Sequence, residues 1–365
     1  MTHVLLASVH QISAGRSGEA VHLRELGAAL RDAGERVTVV DGPMNPGGAG
    51  GDAGGLASLA RRVEGLLDRD RPDAALFWGH LGEETALVRR LRTAGVPIVL
   101  EHPAADIRPA PETLRLADEV VVPSRFARRL FAAQTGRDAH VIEPCLRPCS
   151  CPPAAARAGA GTAAAARNGP YRLTFVNPEP AKGLDVVMHL VRATVQAGLP
   201  FRFRIVEGRW TAADLAGHGI ALAGPPCVEI VRYRADICPL YARTDLLLAP
   251  SLWQESFGMV AREAVAHGVP VLATRVGGLP EAVGRGGVCL DPPVHDRNYR
   301  VRMTGEEVRR WLRAVVEGLR REHRPQPELL SRTTAGSVRA YRELLGCAPG
   351  GEGEAEVTRP ARLSR

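Results

Sequence analysis

One segment, residues 245–290, restricts the fold of this chain more than any other. An apolar strand (Leu246–Ala249) ends at Pro250, a loop and a helix follow, and a second apolar strand covers Val269–Thr274 before the pair Gly277–Gly278. Strand, loop, helix, strand and glycine-rich turn in this order are typical of a nucleotide-binding α/β unit, whose ligand lies at the carboxyl ends of the strands. The segment therefore predicts a parallel sheet flanked by helices.

Two carboxylates lie in this segment, Glu255 in the loop and Glu263 in the early turns of the helix that starts near Phe257–Gly258. The first amides of a helix are unpaired and attract anions. A carboxylate at this end would therefore repel a phosphate that it faced directly. Both glutamates are better explained as acceptors for the hydroxyl groups of a sugar and a ribose.

The seven-residue separation of Glu255 and Glu263 resembles the E-x7-E segment of retaining glycosyltransferases with the GT-B fold (glycosyltransferase family 4-like, glycosyl transferases group 1). The similarity extends through the following residues: Ser256–Gly258, Glu263–Ala264, His267–Pro270 and Gly277–Glu281. It implies an α/β protein with two Rossmann-like domains facing across a central cleft. It also implies transfer of a hexosyl group from a nucleoside diphosphate sugar, with a UDP-sugar favoured, and retention at the anomeric carbon.

The resemblance further implies roles for individual residues. Glu263 would accept hydrogen bonds from the ribose, and Glu255 with the amides of Phe257, Gly258 and Met259 would hold the sugar. No cofactor and no metal are expected, because no Asp-x-Asp cluster stands at a strand end. The charge of the departing diphosphate would be met by a lysine and by helix amides.

That lysine is Lys182, the single lysine in a chain with 47 basic residues, and it follows the strand Leu173–Val176. A compact ammonium reaches a diphosphate where a planar guanidinium does not fit. The loop resembles the family's phosphate-binding loop, in which an arginine precedes the lysine, but Asn177 stands at the arginine's position. Asn177 can donate a neutral hydrogen bond but supplies no charge, so the diphosphate is held either more weakly or by another arginine, such as Arg209 or Arg275.

The N-terminal half repeats the strand–turn–helix pattern and provides the other candidate site residues. By resemblance, the turn with Gly15, Arg16 and Gly18 would approach the donor phosphates. His80 and His102 each follow a strand. By the same resemblance His102 would contact the transferred sugar or the acceptor, with catalytic roles for His102, Lys182 and Glu255, and His80 would line the crevice.

Acidic residues surround these histidines, namely Glu83, Glu84, Glu101 and Asp106. They form either a solvated rim or an acceptor subsite that prefers a cationic, amino-bearing alcohol. The acceptor we favour is a small soluble specialised metabolite such as an aminocyclitol, as in antibiotic biosynthesis. The arginine-rich helix 124–136 leaves a lipid acceptor at a membrane surface as the weaker alternative.

Length and composition set the outer limits. A chain of 365 residues is longer than a single hydrophobic core usually accommodates, so we expect two domains and a tail. The expected boundaries are an acceptor-binding domain at 1–145, a linker at 146–170, a nucleotide-sugar-binding domain at 171–325, a helix crossing back to the first domain at 326–346, and a disordered tail at 347–365. The oligomeric state stays open.

Charge and cysteine usage exclude other classes. The net charge of +7 comes from arginines interspersed with acids, and 4% aromatic residues provide few stacking platforms for nucleic acid. No apolar run approaches the ~18 residues of a membrane span. The seven cysteines do not show the regular spacing of a disulfide framework, which indicates a reducing cytoplasm. Cys145, Cys149 and Cys151 lack the fourth ligand of a structural zinc.

Three other functions share features with the transferase. A glycoside hydrolase also uses two carboxylates, but it needs neither the lysine-bearing loop nor two nucleotide-binding halves. A nucleotide-sugar 2-epimerase shares the architecture but requires further acid–base carboxylates that the sequence does not reveal. A non-catalytic sugar-nucleotide-binding protein would be consistent with Asn177, whereas the joint presence of Glu255, Lys182 and His102 favours an enzyme.

Overall fold

The structure, a computed structural model, describes residues 1–10, 12, 17–44, 53–79, 85–103, 107–146, 169–222, 224–234, 236–320 and 327–347. Gly15, Arg16, His80, Glu83, Glu84, Asp106, Cys149 and Cys151 lie outside these residues, as do most of the expected linker and tail. The chain forms two compact units. Unit 1 comprises Met1–Arg147 and Ser331–Arg365, and unit 2 comprises Pro148–Leu330.

Unit 1 is built on a six-stranded parallel sheet in the order β2-β1-β3-β4-β5-β6. Its strands are β1 (His3–His10), β2 (Arg36–Met44), β3 (Ala74–Trp78), β4 (Ile98–Glu101), β5 (Glu119–Val122) and β6 (His140–Val141). Its helices are α1 (Gly18–Asp32), α2 (Ala53–Arg69), α3 (Thr85–Thr93), α4 (Pro111–Leu116) and α5 (Arg125–Thr135).

Unit 2 holds a second six-stranded parallel sheet in the order β12-β11-β10-β7-β8-β9. Its strands are β7 (Tyr171–Val176), β8 (Phe201–Val206), β9 (Val228–Val231), β10 (Leu246–Ala249), β11 (Val271–Thr274) and β12 (Gly287–Leu290). A 3-10 turn (Pro180–Lys182) precedes α6 (Leu184–Ala197), and α7 (Ala212–Gly217), α8 (Cys238–Ala242), α9 (Met259–Ala266), α10 (Leu279–Val283) and α11 (Gly305–Arg320) follow.

The central strands are apolar because both faces of each sheet are covered. All eight residues of β1 are buried. Successive side chains of a strand point to opposite faces, so Leu5 and Ala7 join one core of unit 1 while Val4 and Leu6 join the other. Burial on both faces is the ordinary environment of parallel strands. The α/β class and the two Rossmann-like sheets predicted from the sequence are thereby confirmed.

The last helix, α12 (Pro327–Leu344), packs on unit 1. Val338, Tyr341 and Leu345 belong to the same apolar cluster as Leu23 and Leu26 of α1. Residues from the far end of the chain thus complete one face of the first sheet. Within the described residues, no helix has both the length and the hydropathy to cross a membrane.

Candidate functional site

The loop after β7 is pressed against the end of β10, and this contact brings Lys182 to the 251–255 loop. Gly183 has a φ of 87°, and a Cβ added there would lie 1.9 Å from the Pro250 carbonyl oxygen, so only glycine fits. The Leu252 amide donates to the Ala181 carbonyl at 2.8 Å. These backbone contacts fix the position of the Lys182 loop relative to the 251–255 loop, independently of any charged side chain.

Lys182 and Glu255 form the centre of the site. The Lys182 Nζ donates to Glu255 Oε1 at 2.7 Å, and the Ser251 hydroxyl donates to the same oxygen at 2.8 Å. The Lys182 Nζ also lies 4.9 Å from the centroid of the Trp253 ring, within cation–π range. The side chains of Lys182 and Glu255 are 25% and 12% exposed. An incoming ligand can reach both, yet both are already oriented.

A second glycine turn holds the backbone of Glu255. Gly277 has a φ of 57°, and a Cβ there would lie 2.1 Å from the Glu255 carbonyl oxygen. The Gly278 amide donates to that oxygen at 2.6 Å. The turn after β11 thus holds the Glu255 backbone, while Lys182 contacts its carboxylate, and Gly277 and Gly278 permit this close approach.

Helix α9 begins next to Glu255 and carries the other glutamate. Gly258 caps it with a φ of 107°, and no side chain caps the helix there. Glu263 is 5% exposed, and its Oε2 accepts a hydrogen bond from the Tyr241 hydroxyl at 3.1 Å. Phe257 is buried in the adjacent core. Unit 2 thus presents a helix N-terminus beside Glu255, with Glu263 held one turn further along by Tyr241.

Asn177 and Arg209 meet at a buried carboxylate, that of Glu179. Arg209 donates to both Glu179 oxygens, from Nε at 2.9 Å and from Nη2 at 2.8 Å, and Asn177 Nδ2 donates to Oε1 at 2.8 Å. Asn177 adopts a φ of 61°, and its Oδ1 accepts from the Trp210 amide at 3.3 Å. Arg275 instead contacts Asp291 and the Cys289 carbonyl on the surface. Of the two arginines considered, Arg209 is the one beside Asn177.

In unit 1, the candidate site residues that the structure describes are Gly18, Glu101 and His102, and the last two are buried. Gly18 opens α1, which Ser17 caps by accepting from the Ala20 amide at 3.2 Å. His102 is buried at the end of β4, with Nε2 2.9 Å from the Ile107 carbonyl oxygen and its ring against Phe131. Glu101 is buried as well, and its carboxylate contacts His22. The protein interior thus already supplies partners for His102 and Glu101.

Four residues of these contacts had no assigned role in the sequence: Glu179, Tyr241, Ser251 and His22. Ser251 lies within the segment 245–290, four residues before Glu255, a separation that suits a local side-chain contact. Glu179 precedes a proline and resembles an ordinary loop residue. Tyr241 and His22 bond to partners far away in the chain, and no local pattern marks such pairs.

The sequence of this chain is similar to known glycosyltransferases. Residues 171–320 match the family described as Glycosyl transferases group 1. A D-inositol 3-phosphate glycosyltransferase of Saccharomonospora viridis is 33% identical over 212 residues, which are 54% of this chain and 47% of that protein. The chain therefore spans about half the length of this curated relative.

Two solved structures extend the similarity over nearly the whole chain. HepE of Anabaena, in complex with UDP and glucose, is 18% identical with a TM-score of 0.62, covering 94% of this chain and 99% of that chain. The UDP-GlcNAc 2-epimerase of Methanocaldococcus jannaschii is 13% identical with a TM-score of 0.57, covering 94% and 99%. At these identities the similarities show the fold alone, and they confirm the GT-B architecture expected from the sequence.

Proposed function

We propose that the protein transfers a hexosyl group from a nucleoside diphosphate sugar to an acceptor hydroxyl, because residues 171–320 match the glycosyl transferases group 1 family. The observation that carries the proposal is the contact between Lys182 and Glu255 beside the start of α9. An ammonium for a leaving diphosphate and a carboxylate for sugar hydroxyls lie within one hydrogen bond of each other. A uridine nucleotide is favoured, since HepE was solved with UDP and glucose.

In the proposed reaction the bond between the anomeric carbon and the diphosphate oxygen breaks, and a bond to the acceptor oxygen forms on the same face. The acceptor's proton passes to the departing phosphate. Lys182 and the first amides of α9 stabilise the negative charge that develops there. Glu255 holds the sugar hydroxyls, Glu263 accepts from the ribose, and His102 contacts the sugar or the acceptor. The retention of configuration follows from the family resemblance.

A panel of nucleoside diphosphate sugars, each with and without acceptors, tests this function. Release of nucleoside diphosphate that depends on an acceptor supports the transferase. Binding of nucleotide by calorimetry without turnover of any donor would instead indicate a non-catalytic sugar-nucleotide-binding protein.

The epimerase remains the second candidate, because a UDP-GlcNAc 2-epimerase has the same fold. An epimerase inverts C2 of its sugar nucleotide without an acceptor. Proton NMR of UDP-GlcNAc incubated with the enzyme alone would show a second sugar nucleotide appearing. If the substrate spectrum stays unchanged while an acceptor triggers nucleotide release, the epimerase is excluded.

For the acceptor we propose a cyclitol, with the amino-bearing class preferred on the acidic residues 83, 84 and 106; Glu101, which the sequence placed with them, is buried against His22 and is left out of this subsite. The relative's name places a phosphorylated inositol in the same chemical class. We expect an aminocyclitol to show a higher kcat/KM than its neutral and phosphorylated analogues, measured at equal ionic strength. A phosphorylated cyclitol used best of the three would contradict the amino preference and leave the cyclitol class in place.

Arg209 is proposed to supply the guanidinium that Asn177 does not. Glu179 orients it by a bidentate contact, which is the strongest geometry for an arginine and a carboxylate. The Arg209 side chain is still 42% exposed, so part of the guanidinium can meet an anion from solvent. Glu179 and Lys182 lie in one turn, where the Lys182 amide donates to the Glu179 carbonyl at 3.0 Å.

An Arg209→Ala variant is accordingly expected to bind nucleoside diphosphate roughly tenfold more weakly, because a charge-assisted contact of ~1.5 kcal/mol is lost. Calorimetry with UDP measures the effect. Adding Asn177→Arg should restore affinity, since Glu179 can hold the new guanidinium, although Arg tolerates the left-handed backbone of residue 177 less well than Asn does. Arg275→Ala is the matched control. Equal losses for Arg209→Ala and Arg275→Ala would remove Arg209 from the site.

A further inference from the structure

Three buried polar side chains meet inside unit 1, and the transfer reaction described above uses none of these contacts. His22 of α1 lies with Nε2 3.0 Å from Glu101 Oε1 and 3.1 Å from Oε2. The Tyr341 hydroxyl of α12 is 3.4 Å from the same nitrogen. All three residues are buried. We call His22, Glu101 and Tyr341 the buried polar cluster.

The hydrogen bonds assign one role to each group of the cluster. The Cys145 amide donates to His22 Nδ1 at 2.8 Å. Burial lowers the pKa of His22, but the Glu101 carboxylate outweighs burial and raises it to about 10, which favours a doubly protonated ring. The Cys145 amide, however, requires a lone pair on Nδ1, and we follow this contact in placing the ring proton on Nε2, which donates to Glu101. Burial raises the pKa of Tyr341 well above its usual value, so the hydroxyl stays protonated and donates to Glu101 as well. Two donors thus offset the cost of burying this carboxylate.

The cluster joins both segments through which the chain passes between its units. Unit 1 leaves off at Arg147 and resumes at Ser331. The Leu146 amide donates to Thr334 Oγ1 at 3.2 Å, the Thr334 hydroxyl donates to the Leu146 carbonyl at 3.3 Å, and Ser337 Oγ donates to the Glu143 carbonyl at 2.6 Å. The outgoing segment 143–146 is therefore bound to α12, and His22 contacts both, through Cys145 and Tyr341.

Glu101, the third member of the cluster, immediately precedes the proposed site residue His102 in the chain. Glu101 ends β4, and the next residue is His102, whose amide donates to the Val121 carbonyl at 2.8 Å. The Glu101 side chain and the His102 ring thus leave the backbone at consecutive residues. The Glu101 carboxylate is therefore anchored one residue before His102.

From these contacts we infer that His22 and Tyr341 are positioning residues. They fix the two connecting segments to the end of β4 and thereby hold His102 in the geometry that transfer requires. The catalytic part of this inference rests on the proposed function of His102. The structural part, a mechanical link from the connecting segments to β4, does not.

The test uses Tyr341→Phe, which removes one hydroxyl and keeps the ring in the core. We expect kcat for transfer to fall by roughly tenfold. Affinity for UDP should change little, because Lys182, Arg209 and Glu263, which are proposed to hold the diphosphate and the ribose, lie in unit 2. Hydrogen–deuterium exchange should rise both in β4 and in residues 142–146. His22→Gln, which keeps an amide donor and an acceptor, should retain more activity than His22→Ala.

Ser337→Ala is the matched control, because it removes a hydrogen bond between the same helix and residue Glu143 without touching the cluster. We expect it to lower Tm and to leave kcat unchanged. A Tyr341→Phe variant with wild-type kcat and wild-type exchange would overturn the inference, and so would equal losses of kcat in Tyr341→Phe and Ser337→Ala. If the wild type transferred no sugar from any donor, the proposed function would fail, and the exchange pattern alone would decide the link between β4 and 142–146.

Discussion

A Lys182→Ala variant is expected to transfer sugar at least about tenfold more slowly than the wild type while it keeps its fold. Removal of a charge-assisted contact from a partly desolvated site costs ~2–4 kcal/mol of transition-state stabilisation. The loss falls on kcat, because the charge that Lys182 meets develops as the diphosphate departs. Circular dichroism and Tm establish that the fold is intact, and initial rates at saturating donor give kcat.

Lys182→Arg is the companion variant. It keeps the positive charge but replaces a compact ammonium, 2.7 Å from Glu255 Oε1 and over the Trp253 ring, by a larger planar group. Recovery should therefore be partial. An unaltered rate in Lys182→Ala would remove the lysine from the mechanism, whereas full activity in Lys182→Arg would show that charge alone is sufficient.

The second large effect is expected from substitution of the two glutamates, Glu255 and Glu263, which should change different quantities. Glu263→Gln should weaken binding of free nucleoside diphosphate, since its proposed partner is the ribose. Glu255→Gln should leave that affinity nearly intact and depress transfer, because its proposed partner is the sugar and because it orients Lys182. Calorimetry with UDP and steady-state kinetics, applied to both variants, give the two quantities independently.

Tyr241→Phe is the control for the Glu263 side of this prediction. It removes the hydroxyl that donates to Glu263 Oε2 and leaves the ring that stacks on His267. Affinity for UDP should fall less than in Glu263→Gln, because the carboxylate is kept but held less firmly. If both glutamate variants lose UDP affinity equally, the proposed division between ribose and sugar is wrong.

The fold could be predicted because its signals are local. Short apolar runs such as Val4–Ser8 and Leu246–Ala249 are typical of strands buried on both faces, and Pro250 marks the end of the second. Lys182 and Glu255 were each recognisable, one as the single lysine and the other by its spacing from Glu263. Their direct contact was not, because it depends on how closely Gly183 approaches Pro250.

The contacts that escaped prediction join residues distant in the chain. Glu179 and Arg209 are separated by 30 positions, and His22 and Glu101 by 79. From the sequence, Glu101 belonged to an acidic group around the histidines, and nothing local indicated that it is buried. Whether a carboxylate faces solvent or an imidazole is decided by the packing of α1, β4 and α12, which no short window of sequence contains.

The return of α12 to unit 1 has a consequence for how the chain is made. Unit 2 is one uninterrupted stretch, whereas unit 1 lacks part of its core until Val338, Tyr341 and Leu345 have been synthesised. Domains fold as they emerge from the ribosome, usually beginning with the N-terminal one. Here the second unit can complete its core first, and the apolar face of α1 and β1 stays open until α12 has been synthesised.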